Sequence, residues 1–260
     1  MYKGADQSRT LTELLRLQTR PLAVKLLSPG EDLPKRVHRP KRLLKHRITI
    51  CQGITMARRY GWRLGLLKDD VCCAAALIAY GWVETEPSLD EVADLMLAAE
   101  YAKNRDAARR QIQAIPRLPK GQCAGLVLSP LELADWEPDL VMVYVNAAQI
   151  MRLVQAATYH QGHPVHSSFG GRAASCAEGI IRAAQTVECQ AVLPGGGDRI
   201  FAMTADDELA FVAPTTSLDR ISEGLAMAGR QVGLAYPIPV YQGFEPRFPP
   251  AYNKLFEQIT

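Results

Sequence analysis

The chain has 260 residues, 48% of them apolar and 22% charged, and a net charge of +3. That is an ordinary globular composition, long enough to bury a core without disulfide or metal staples. The charge is too small to imply nucleic acid or a membrane surface by itself. The longest apolar run, VCCAAALIAYGWV at 71–83, falls short of the roughly 20 residues that a membrane-spanning helix needs.

The first residues, MYKGADQSRTLTELLRL, lack the apolar core and small-residue cleavage site of a signal peptide. A cytoplasmic protein with reduced cysteines is expected. Residues 8–18 read as an amphipathic helix with Leu11, Leu14, Leu15 and Leu17 on one side. RPLAVKLL (20–27) reads as a strand with proline at its start, where no ladder N–H is lost. Lys25 lies inside that strand and offers an ammonium to an anionic ligand. Residues 35–47 carry seven Lys/Arg and two His. An anionic small molecule or an acidic partner protein accounts for them as well as nucleic acid does, and no nucleic-acid-binding motif accompanies them.

A helix is predicted from Thr49, a strand in WRLGLL (62–67), and a helix from Asp70 to about Tyr80. Residues 88–112 read as helical. Apolar runs within 121–131 and at 139–146 read as buried strands, and 146–162 as a helix capped by Asn146 and ended by Gly162. Another helix follows at 174–186. Strands are then predicted in CQAVLP, RIFAMT and ELAFVAP, with turns at GGGD and ADD, before a helix closed by Gly229. The tail, 236–260, is rich in proline and aromatics and is expected to be irregular. The mixture, with no repeat or linker, gives α/β or α+β: a single mixed domain over 1–260 with several helices packed on β-sheet.

The cysteines sit at helix starts. TICQ is a capping box, which places Cys51 in a first turn. Asp70 as N-cap would place Cys72 and Cys73 in another. Ser175 and Glu178 form the S-x-x-E pattern, with Cys176 beside the cap. A helix N-terminus favours thiolate, and thiolates from three such places can share one metal ion or iron–sulfur cluster. Against this stand the frequency of buried structural cysteine and the absence of any C-x-x-C pattern. Cys123 and Cys189 begin apolar strands, where a packing role fits better.

LPGGGDR (193–199) offers the backbone N–H groups of Gly195, Gly196 and Gly197, and the guanidinium of Arg199, to an anion. It lacks the G-K-[ST] of a P-loop, and its flanking strands favour a hairpin turn. His160, His163 and His166 fall in a loop broken by Pro and Gly, able to supply a proton donor to a nearby site.

RPLAVKLL, CQGITMARRYG, KDDVCCAAALIAYG, SPLELADWEPDLVMVYVNAAQIMRLVQA, GGRAASCAEGI and GGGDRIFAMTADDELAFVAP, in this order, resemble the DUF169 family, a prokaryotic family of unassigned function. The resemblance runs over about residues 20–230. It implies a shared cysteine site at Cys51, Cys72 and Cys176. Many family members carry a further cysteine before GDR, where this chain has only glycines. A [4Fe–4S] cluster would then have three thiolates here, with one iron open or held by another ligand, such as Cys73 or Cys189.

The function expected is an iron–sulfur protein with a redox or Lewis-acid role on a small anionic molecule. Lys25, Gly195, Gly196, Gly197 and Arg199 would contact the anion, and the partner would be that ligand or a redox protein, with self-association left open. Two alternatives stand beside it. One is a non-catalytic ligand-binding or partner-docking module with structural cysteines. The other is a cysteine-nucleophile enzyme using Cys72 or Cys176 with a histidine of 160–166 as base.

Overall fold

The computed structural model describes residues 4–83, 87–239 and 246–259. In chain order the elements are α1 (Gly4–Leu15), β1 (Leu22–Leu27), α2 (Pro40–Leu44), α3 (Ile50–Tyr60), β2 (Leu64–Leu67), α4 (Ala74–Ala79), α5 (Leu89–Ala98), α6 (Arg105–Ala114), β3 (Gly125–Pro130), β4 (Leu140–Val145), α7 (Ala147–Thr158), a π-helix (Ala174–Ile181) continuing into α8 (Arg182–Thr186), β5 (Gln190–Val192), α9 (Gly196–Ala202), β6 (Leu209–Pro214), α10 (Leu218–Met227) and α11 (Pro250–Ile259).

The six strands form one sheet in the order β2-β3-β1-β4-β6-β5, with every pairing antiparallel. Strand side chains alternate between faces, and the alternation divides the core in two. Leu22, Val24, Leu126, Leu128, Met142, Tyr144 and Val212 face a layer built from α3, α4 and the π-helix. Ala23, Val141, Val143, Phe211 and Ala213 face α1, α7 and α10. The result is a single mixed α/β domain, as the element pattern predicts. No helix among the described residues is long and apolar enough to cross a membrane.

Four sequence expectations are corrected by where side-chain oxygens go. Asp70 caps no helix. It is fully buried and accepts from Arg39 Nε at 2.8 Å, Leu67 N at 3.0 Å and Lys41 N at 3.1 Å. The Cys72 N–H donates to Ile48 O at 3.0 Å, which keeps 71–72 extended, and α4 begins at Ala74 with Cys73 as its N-cap. Ser175 and Glu178 form no capping box. The Ser175 hydroxyl meets the Tyr144 hydroxyl at 3.0 Å, and Glu178 accepts from Gly170 N.

RIFAMT is helix, not strand: Asp198 accepts from Gly195 N at 3.0 Å and turns the chain into α9. Residues 88–112 are two helices, each with its own cap, Ser88 and Asn104. The tail departs from irregularity at α11, and its residues 240–245 lie outside those described.

Candidate functional site

Thr49 caps α3 as predicted: its side chain accepts from Gln52 N at 3.1 Å, and Gln52 Oε1 accepts from Thr49 N at 2.9 Å. This fixes Cys51 in the first turn. Cys73 precedes α4 by one residue and packs on the same core. Cys176 lies in the first turn of the π-helix, 3% exposed. The Tyr80 hydroxyl donates to its backbone carbonyl at 3.0 Å, so α4 and the π-helix are tied together at the cysteine itself.

These three cysteines converge. The Cys51 thiol is pushed up first by burial, then by the charges of Cys176 and Asp198 and by its hydrogen bond to the Asp198 carboxylate, with Cys73 adding to them. The Cys176 thiol is pushed up by burial, then by Asp198 and Cys73. Each therefore lies within electrostatic reach of the others. Without a compensating cation these thiols hold their protons, because concentrating negative charge in a desolvated place is costly. Cys72 is exposed. The structure turns Cys73, and not Cys72, toward Cys51 and Cys176.

Sequence reasoning missed a fourth contributor, Asp198. It is 2% exposed. One carboxylate oxygen takes the Gly195 N–H, while Oδ1 is buried without a hydrogen-bond partner. Both Cys51 and Cys176 feel its charge. The signal lay in GGGD, where an acid three residues after Gly195 is the N3 position of a helix. The glycine loop does reach the cysteines. A Cβ placed on Gly197 would lie 4.0 Å from Cys51 Sγ, and one on Gly196 would meet nothing within 4 Å.

A polar scaffold holds this arrangement. The Arg58 guanidinium, buried, pairs with both carboxylate oxygens of Glu208 at 2.6 and 3.1 Å and lies 3.9 Å over the Tyr144 ring. Arg58 and Arg59 both donate to Met203 O, and the Thr55 hydroxyl donates to Ala202 O. The end of α9 is thereby fastened to α3.

The other predicted residues lie apart. Lys25 alternates onto the sheet face of Ala23, opposite Val24, and pairs with Glu31 at 3.1 Å. It borders a 900 Å³ groove with Glu137 and Asp139. Arg199 donates to Ala205 O and approaches Asp206 at 3.9 Å, bracing the turn into β6. His160, His163 and His166 line a 190 Å³ cavity with Cys189 and Arg220. Cys123 is buried and its thiol donates to Gly125 O at 3.2 Å, a packing role.

Among the described residues no group of three His, Cys, Asp or Glu side chains could hold a single metal ion. Sulfurs on one zinc, each at about 2.3 Å from it, crowd within about 4 Å of one another. Those on separate corners of a cluster stand farther apart. Three thiols and a buried carboxylate are donors of the kinds that bind iron.

Fold and site together define an antiparallel-sheet α/β protein with a buried thiol–carboxylate site formed by segments far apart in sequence. The family model described as uncharacterised ArCR, DUF169, matches residues 10–224, and the chain belongs to that family. It is also similar to an uncharacterized protein of Methanocaldococcus jannaschii, 26% identical over 220 residues, covering 85% of this chain and 92% of that one. No solved structure matches it.

Proposed function

We propose that the protein carries an iron–sulfur cluster on Cys51, Cys73 and Cys176 and uses it in redox or Lewis-acid chemistry on a small anionic molecule. The observation that carries this reading is the convergence of three thiols, from positions 51, 73 and 176, around a buried carboxylate oxygen with no partner. Ordinary core packing gives no reason to place four acidic groups in one desolvated place, whereas a cationic metal core offsets their charge and takes the thiol protons' place. Bound there, a cluster would supply electron transfer or a polarising iron. This chain's own part is to hold the sulfurs on three helix starts.

The cysteine-nucleophile alternative is less well supported. It requires a thiolate, and burial shifts Cys51 and Cys176 the other way. The histidines border Cys189 and Arg220. The test is iron and sulfide analysis of protein purified without oxygen. Brown protein with about four irons and matching sulfide per chain supports the cluster. Colourless, iron-free protein after anaerobic reconstitution rejects it and leaves the binding-module reading, in which serine substitutions change stability alone.

A further inference from the structure

We infer that Asp198 is the non-thiolate ligand of this site, and that the cluster's fourth corner faces Gly196 and Gly197, where a small oxygen-donor ligand enters. The inference rests on the cluster reading and adds to it a ligand, an entrance and a ligand class. Three thiolates leave one corner of a four-iron cluster without sulfur from the protein. Asp198 Oδ1 is the group placed to take it. The residue is 2% exposed, its Oδ2 is committed to Gly195 N at 3.0 Å, and Oδ1 has no partner in full hydrogen-bond geometry, the Cys51 thiol being a weak donor to the same carboxylate. A buried carboxylate oxygen left unpaired is costly, and a metal ion removes that cost.

The second observation is the space beside it. Gly196 and Gly197 are exposed, and neither has a positive φ that would demand glycine. A Cβ on Gly196 would meet nothing within 4 Å, and one on Gly197 only Cys51 Sγ, at 4.0 Å. The backbone does not require glycine here, so the effect of the missing side chains is an open way from solvent to Cys51 and Asp198. A carboxylate is a harder and more exchangeable ligand than thiolate. An incoming carboxylate, hydroxyl or water can displace it, which makes this corner a Lewis acid and not only an electron relay.

The experiment compares the wild type, Asp198→Asn and Asp198→Cys, all purified anaerobically, before and after mild oxidation with ferricyanide. Asn keeps the Gly195 cap and the side-chain shape, so the fold is retained, which circular dichroism checks. In the wild type ferricyanide takes one electron, the Asp198 carboxylate stays while one ferrous ion is released to solvent, and three ferric irons stay on the three thiolates. The expected iron content falls from about four to about three per chain. Asp198→Asn is expected to hold about three irons before oxidation, and Asp198→Cys to keep about four after it. Wild type and Asp198→Asn with equal iron before and after oxidation would overturn the assignment to Asp198 while leaving the cluster standing. Wild type without iron and sulfide removes the cluster and this inference together.

Discussion

The Tyr80 hydroxyl donates to the Cys176 carbonyl at 3.0 Å, across 96 residues of sequence. Burial pushes this phenol well above its ordinary range, and the neighbouring Cys176, Cys123 and Cys51 add to the effect. It is therefore a neutral donor around neutral pH. Tyr80→Phe removes the donor and leaves a buried carbonyl without it. The expected loss is about 1–3 kcal/mol in urea unfolding. Protein loaded with iron should release it faster to a chelator, because α4 and the π-helix are no longer tied at Cys176.

The cysteine doublet gives a sharper test. Cys73 packs on the core with Cys176, while Cys72 is exposed. Cys73→Ser, like Cys51→Ser and Cys176→Ser, is expected to lower bound iron severalfold after anaerobic reconstitution, and Cys72→Ser to leave it unchanged. The measurement is iron per chain. Loss in Cys72→Ser with retention in Cys73→Ser would reverse the assignment of the pair.

The strands and the first-turn place of Cys51 were legible because both rest on local patterns. Apolar runs bounded by Pro, Gly and Asp mark β3 and β4, and the Thr49–Gln52 box marks the start of α3. What the sequence hides is which partner an oxygen chooses. Asp70 has the right type and place for an N-cap, but Arg39, 31 residues earlier, takes it as an ion pair. Ser175 has the capping pattern, but Tyr144 takes its hydroxyl. In both cases a long-range partner wins over a local one, and the three-residue shift of the α4 N-cap, from Asp70 to Cys73, exchanges the roles of Cys72 and Cys73. The short apolar run of RIFAMT suits a strand, yet Ile200 and Phe201 on α9 and Met203 at its C-cap are exposed, so burial never supported that reading.

The Arg58–Glu208 pair sets an acid limit. Burial raises the Glu208 carboxyl, but the Arg58 hydrogen bond, the Ala205 N–H and the charges of Arg58 and Arg59 outweigh it, and the net shift is downward. A lowered folded value gives stability that is present above the unfolded value of about 4.5 and is lost as pH falls through the lower folded one. Arg58→Ala strands a partly buried carboxylate and is expected to cost about 3–5 kcal/mol at pH 7. The deficit should shrink toward pH 3, where Glu208 protonates in the variant. Urea midpoints at the two pH values check both statements.

Gly224 on α10 faces the backbone of α7. A Cβ there would lie 2.4 Å from Ala156 O and 2.7 Å from Ala156 Cα, and a main-chain neighbour cannot swing aside. Gly224→Ala must part the two helices, at an expected cost of about 1–3 kcal/mol despite alanine's better helix propensity. The cysteine site lies on the other face of the sheet. The variant should therefore unfold at lower urea with its iron content intact.

Thiol chemistry separates the cysteines in the metal-free protein. Alkylation needs thiolate and access. Burial holds Cys51 and Cys176 as thiols, and Cys123 and Cys189 are each raised to about 11. Cys72 alone among the six is exposed. Brief treatment with iodoacetamide at pH 7 should label Cys72 first, and Cys51 and Cys176 only in urea, as mass spectrometry of the digested chain would show. Fast labelling of Cys176 in the folded protein would instead require an activating base beside it and would revive the nucleophile reading.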